Sequence, residues 1–140
     1  MTTAGKSSRV DIVELSIPIQ AELLVLARLG ASTLAARAGF DLEEIEDLRL
    51  AVEELCLSIA VADGGPQRIH LRYRLDNGTI EVRCVLEPDP SGGASELLTD
   101  RTGGELSWRI LDALVDEHGR EEVDGRPAAW LRKRRARSSV

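Results

Sequence analysis

Phe40-Asp41-Leu42-Glu43-Glu44-Ile45 carries the chemistry of a helix start. Asp41 can accept from the orphan amides of a first turn, and Glu44 stands three residues on at the capping-box position. Phe40 and Ile45 flank them at the spacing of a hydrophobic staple. The helix that follows places Ile45, Leu48, Val52, Leu55, Cys56 and Ile59 on one stripe at helical spacing. Ala51, Glu54 and Ser58 fall on its far side, and Asp63-Gly64-Gly65-Pro66 stops it.

On the N-terminal side, Ala21 to Ala38 reads as a first helix closed by Gly39. Leu23, Leu26, Ala27, Gly30 and Leu34 form one apolar side, and Leu24, Val25 and Leu29 form a second. A helix apolar on two sides is either sandwiched or part of a partner interface. Val10 to Ile17 before it suits a strand that Pro18 ends or marks as a sheet edge, and residues 1–9 read as a disordered lead.

On the C-terminal side, Ile69, Leu71, Tyr73 and Leu75 alternate with Arg68, His70, Arg72 and Arg74. Asp76-Asn77-Gly78 turns the chain, and Ile80, Val82, Cys84 and Leu86 alternate on the return. A loop from Pro88 to about Thr102 leads to a third helix over Ser107 to Asp116, with Trp108, Leu111, Leu114 and Val115 inward. Gly119 to Val123 and Ala128 to Arg132 form a last hairpin around Asp124-Gly125. Strands grouped apart from helices predict an α+β fold. It is a two-layer sandwich whose antiparallel or mixed sheet is covered on one face by about three helices.

The 140 residues fit one domain, read here as 10–133 with a basic tail over 134–140. With one Phe, one Tyr and two Trp, the core rests on Leu, Ile, Val and Ala, and Trp108 and Trp130 are expected to be large local contributors to burial. The net charge of −6 argues against a general nucleic-acid binder. The tail Arg132-Lys133-Arg134-Arg135-Ala136-Arg137 is either a solubilising, fraying end or a contact for a partner or nucleic acid. Cys56 and Cys84 sit at apolar positions as small hydrophobes, with a buried disulfide left open. His70 and His118 are isolated, which gives a metalloenzyme no support. No signal peptide or membrane span is read, so the cytoplasm is the expected location.

The stretch Leu48-Arg49-Leu50-Ala51-Val52-Glu53-Glu54-Leu55-Cys56, with Leu106-Ser107-Trp108-Arg109-Ile110-Leu111-Asp112-Ala113-Leu114-Val115-Asp116-Glu117 later, resembles the anti-sigma serine kinases of the GHKL ATPase family. The divergent actinobacterial anti-sigma proteins are the branch it looks like. The resemblance runs from about Val10 to Lys133. It implies that Glu54 stands at the catalytic base, which polarises the attacking hydroxyl in phosphoryl transfer. A solvated glutamate on a helix face is the plainer reading of the same residue.

Ser58 stands where the family has its Mg²⁺-ligating Asn. A hydroxyl can ligate Mg²⁺, but serine is shorter and lacks the amide oxygen, so small-residue packing competes. The family's adenine-binding Asp falls at Leu86 or Glu87 by strand register, with Asp89 and Gly92-Gly93 nearby but mis-spaced. The phosphate-cradling glycines are reduced to Gly103 and Gly104, followed by an acidic Glu105 and by Ser107 in place of a glycine.

The resemblance therefore implies a degenerate site for ATP and Mg²⁺ made of Glu54, Ser58, Glu87, Asp89, Gly103 and Gly104. The expected function is an anti-sigma factor that sequesters an alternative sigma factor by binding and is released by an anti-anti-sigma antagonist of STAS type. The alternative is an active ATP-dependent serine protein kinase that phosphorylates the antagonist. The family also implies a homodimer.

Overall fold

The structure, a computed structural model, describes residues 10–60, 66–91 and 105–136. Strand β1 (Val10–Pro18) leads through a tight 3₁₀ turn, Ala21–Leu23, into α1 (Leu24–Arg37) and α2 (Leu42–Ile59). Strands β2 (Gln67–Asp76) and β3 (Thr79–Pro88) precede α3 (Glu105–Leu114), and β4 (Glu117–Val123) and β5 (Arg126–Arg134) follow it. The five strands lie in the order β1-β2-β3-β5-β4, every neighbouring pair antiparallel. The sheet is thus antiparallel throughout rather than mixed.

One sheet face presents Ile69, Leu71, Tyr73, Leu75, Ile80, Val82, Cys84, Leu86, Ala129 and Leu131 to the helices, and all are buried. The alternate residues, including Arg68, Arg72, Arg83 and Trp130, occupy the open face. On α2, Asp41 Oδ1 accepts from the Glu44 amide at 2.8 Å and Glu44 Oε1 accepts from the Asp41 amide at 2.9 Å, a complete capping box. Leu48, Val52, Leu55, Cys56 and Ile59 reach the core as their spacing predicts, and Ile45 packs half-buried at its margin. Ala51, Glu54 and Ser58 are buried as well, because α3 covers the second side of the helix.

The first helix differs from expectation in start and in phase. Gln20 supplies no side-chain cap, and the chain enters through the 3₁₀ turn before the α-helix begins at Leu24. Leu24, Ala27, Ala31, Leu34 and Ala35 face the core, whereas Leu26 is 43% exposed. Tyr73 fixes that phase: its hydroxyl donates to the Ala27 carbonyl at 2.8 Å. A Cβ at Gly30 would lie 3.1 Å from the Tyr73 ring and hydroxyl, so the glycine lets the ring approach. Gly39 (φ 83°) closes α1 in a Schellman motif, with Phe40 N–H donating to Ala35 O at 3.0 Å and Gly39 N–H to Ala36 O at 3.1 Å.

Neither tryptophan is fully buried, and Tyr73 is the largest side chain that is. Trp130 lies on the open face across Gly119, where a Cβ would meet its Nε1 at 2.8 Å, with the Arg132 guanidinium 5.2 Å from its ring. Trp108 packs against the core margin and stacks on His118 at 4.9 Å. Cys56 and Cys84 are buried free thiols, and burial pushes the Cys84 thiol well above its ordinary range.

Much of the basic C-terminal run is structured. Arg132 to Arg134 continue β5, and Arg132 reaches both Glu81 and Glu117 at 2.8 Å. Arg135 donates to the Ala38 carbonyl at 2.8 Å, and the Ala136 amide donates to Glu44 Oε2 at 2.7 Å. Helix α3 begins two residues earlier and ends two earlier than its pattern suggests. Asp116 is drawn off by the sheet: its amide donates to Arg132 O at 3.1 Å and its carboxylate accepts from the Arg134 amide at 2.7 Å.

Candidate functional site

Glu54 and Ser58 lie one turn apart on the side of α2 that α3 covers. Glu54 is 1% exposed, and its Oε1 accepts from Ser107 Oγ at 3.1 Å. Ser107 is itself fully buried in the first turn of α3. Glu54 is therefore not a solvated surface glutamate. A carboxylate out of water needs such partners, because an unpaired one carries a heavy desolvation cost.

Ser58 Oγ donates to the Leu55 carbonyl of its own helix at 2.7 Å. The hydroxyl is turned onto the helix backbone, the usual local contact of a buried serine. The Ser58 carbonyl has a different partner. The last turn of α2 holds no basic residue and its C-cap, Ala60, is extended. Arg120 of β4 fills the gap, donating from Nη2 to Ser58 O at 2.8 Å with its guanidinium 5.3 Å from the Trp108 ring. One cation thus links the carbonyl end of α2, where the helix dipole favours positive charge, to α3 and the sheet.

Beside this junction is an open cleft of about 320 Å³ walled by Ser58, Ile59, Ala60, Arg120, Glu121 and Pro127, with Glu54 not among its walls. Glu121 pairs with Arg83 at 3.1 Å. Glu122 also lines the cleft, so among the described residues there Glu121 and Glu122 stand beside Arg120.

Of the other residues named from the sequence, Glu87 and Asp89 have their partners elsewhere. Glu87 alternates with buried Leu86 and reaches toward Arg126 at 3.6 Å. Asp89 is buried, pairs with Arg68 at 3.2 Å, and accepts from the Ser91 amide and hydroxyl at 3.2 and 3.1 Å. Arg68 also binds Ser16, on the sheet face away from the helices. Of the two register positions for the adenine-binding Asp, the one that faces the helices is Leu86, an apolar side chain. Gly103 and Gly104 lie outside the described residues.

Two contacts central to this geometry were not anticipated as site features, namely the bond between Ser107 and Glu54 and the cation Arg120. Ser107 and Glu54 are 53 residues apart, and Arg120 and Ser58 are 62 apart. No local pattern marks Arg120, since its partner is a main-chain carbonyl.

Residues 17–133 match the family described as histidine kinase-like ATPase domain. Among curated relatives, the Serine-protein kinase RsbW of Bacillus subtilis is 41% identical, over 79% of this chain and 78% of its own length. The same-named protein of Bacillus velezensis is 33% identical over the same shares of the two chains. The Anti-sigma-F factor RsbW of Mycobacterium tuberculosis is 29% identical, over 84% of this chain and 66% of its own length.

Proposed function

The chain belongs to the histidine kinase-like ATPase domain family, and on that footing we propose that it is an anti-sigma factor with a degenerate ATP site. It sequesters an alternative sigma factor by protein contact, covers the surface that would meet the polymerase, and is released by an anti-anti-sigma antagonist. The names of its relatives, anti-sigma-F factor and serine-protein kinase, support that reading.

One observation carries the choice of binding over catalysis. The protein's own groups already engage the two residues that the resemblance assigns to catalysis and Mg²⁺: Ser107 is on Glu54, and the Ser58 hydroxyl is on Leu55 O. Leu86, the helix-facing position of the two read for the adenine-binding Asp, is apolar and offers adenine no hydrogen bond. The test is binding of the purified chain to the sigma factors of its host. Recovery of unrelated proteins and no sigma factor in a pull-down would sink the proposal.

The second reading, an active serine kinase, draws on Glu54, which is present and buried at the base position. Labelled phosphate on a serine of the antagonist would support it. Transfer that persists in Glu54→Ala would reject the role given to that carboxylate.

The proposed assembly is a homodimer in the cytoplasm. Val25, Leu26 and Leu29 of α1, the last of them 51% exposed, and Val10, Ile12 and Val13 on the edge strand leave apolar surface uncovered. Sedimentation velocity should give twice the chain mass, and Leu29→Glu should shift the population to monomer. A monomer at every concentration for the unmodified chain counts against this assembly. No helix among the described residues is long and apolar enough to cross a membrane. Direct contact with nucleic acid is not part of the proposal, and the internal pairing of Arg132, Arg134 and Arg135 is in keeping with that.

A further inference from the structure

The contact between Ser107 and Glu54 has the form of a nucleophile on its base. The hydroxyl donates to the carboxylate at 3.1 Å, inside the range of about 2.6–3.2 Å over which a base takes a proton from an attacking hydroxyl. Both groups are buried, and the hydroxyl belongs to this chain rather than to a substrate. We propose that Ser107 is an internal occupant of Glu54, standing where an outside hydroxyl would have to stand, so that docked α3 keeps the carboxylate closed. The proposal rests on the reading of Glu54 as the family's base position and adds a means by which this chain holds it silent.

The packing of α3 shows how the closure is held. Next to Ser107, Trp108 stacks on His118, and farther along the helix is anchored by buried Leu111 and by Lys133 Nζ, which donates to Leu114 O at 2.8 Å. Asp112 accepts from or pairs with His118 Nε2 at 2.6 Å. At the other end Glu105 and Leu106 are exposed, so Ser107 is the first buried residue of the helix. Lifting the first turn, Trp108 with it, would part Ser107 from Glu54 while Leu111 and the Lys133 bond farther along stay in place.

The test labels carboxylates of the full chain with a water-soluble carbodiimide and an amine, and reads the Glu54 peptide by mass spectrometry. Unmodified protein should label slowly at Glu54. Ser107→Ala should label about tenfold faster, the effect of removing one hydrogen bond to a charged group. Ser107→Thr, which keeps the hydroxyl, should stay near the unmodified rate. A thiol reagent on the same samples probes buried Cys56 and should find it unreactive in all three.

Equal Glu54 rates in Ser107→Ala and the unmodified chain would overturn the proposal. So would a Thr variant that opens as far as Ala, or Cys56 reacting in step with Glu54, which would mean general loosening. The labelling needs neither sigma factor nor nucleotide. A failure to bind sigma factor would therefore fall on the proposed function and leave this readout standing.

Discussion

Tyr73→Ala is expected to lower stability by about 3–5 kcal/mol, the range for deleting a buried aromatic, and to drop the thermal midpoint by roughly 10–20 °C. The side chain is fully buried, and it alone joins the ring packed on Gly30 to a hydrogen bond on Ala27 O. Alanine removes both and leaves a cavity beneath α1. Tyr73→Phe separates the two effects, since it keeps the ring and loses only the hydrogen bond, about 1 kcal/mol.

The unmodified chain and Tyr73→Phe also differ in alkali. Burial pushes the Tyr73 phenol far above its ordinary value, with the two cysteines adding in the same direction. Below the unfolded phenol pKa of about 10, both states hold the proton and the group adds no pH dependence. Above it, the unfolded chain loses the proton first, so stability falls as pH rises. The phenyl ring of Tyr73→Phe cannot ionise, and that variant's denaturation curve should lose this part of the alkaline slope. Urea melts at neutral and alkaline pH measure both effects. A cost under about 1 kcal/mol for Tyr73→Ala would mean that α1 does not pack on β2 as described.

Leu111→Ala is the second large effect, expected to cost about 2–5 kcal/mol. Leu111 is the fully buried hydrophobic residue of α3, whereas Trp108 and Leu114 sit half-buried at the core margin. Its loss removes the apolar anchor that holds α3 over Glu54. Emission from Trp108, followed in a Trp130→Phe background, should move to the red at lower urea than in the parent. Leu114→Ala is the matched control, with a smaller loss because that side chain keeps part of its surface in water. Equal costs for the two would mean that α3 is not seated through Leu111.

How far the sequence could be read follows the distance over which each signal acts. The capping box at Asp41 and Glu44 was legible because both partners lie within one turn. The hairpins at Asn77-Gly78 and Asp124-Gly125 were legible too, and all four residues take positive φ. The phase of α1 was not, because the helix is apolar on two sides and the choice falls to Tyr73, 46 residues away. Trp108 and Trp130 were read by size, but the first lies at a margin and the second on the open face across Gly119.

The site shows the same limit. The resemblance names Glu54 and Ser58 as site residues and helix spacing puts them on one side of α2, where both are buried. Asp89 is adjacent to the motif in sequence but drawn to Arg68 in space. The contacts that give the site its character, Ser107 on Glu54 and Arg120 on Ser58 O, join separate elements through single hydrogen bonds. Such pairs leave no periodicity to read.

The most direct test of the account is the affinity of the purified chain for its host's alternative sigma factor, measured by calorimetry without nucleotide and again with Mg-ATP. The account predicts a complex of the same affinity in both. A complex that forms only with Mg-ATP would contradict it and identify a working nucleotide site.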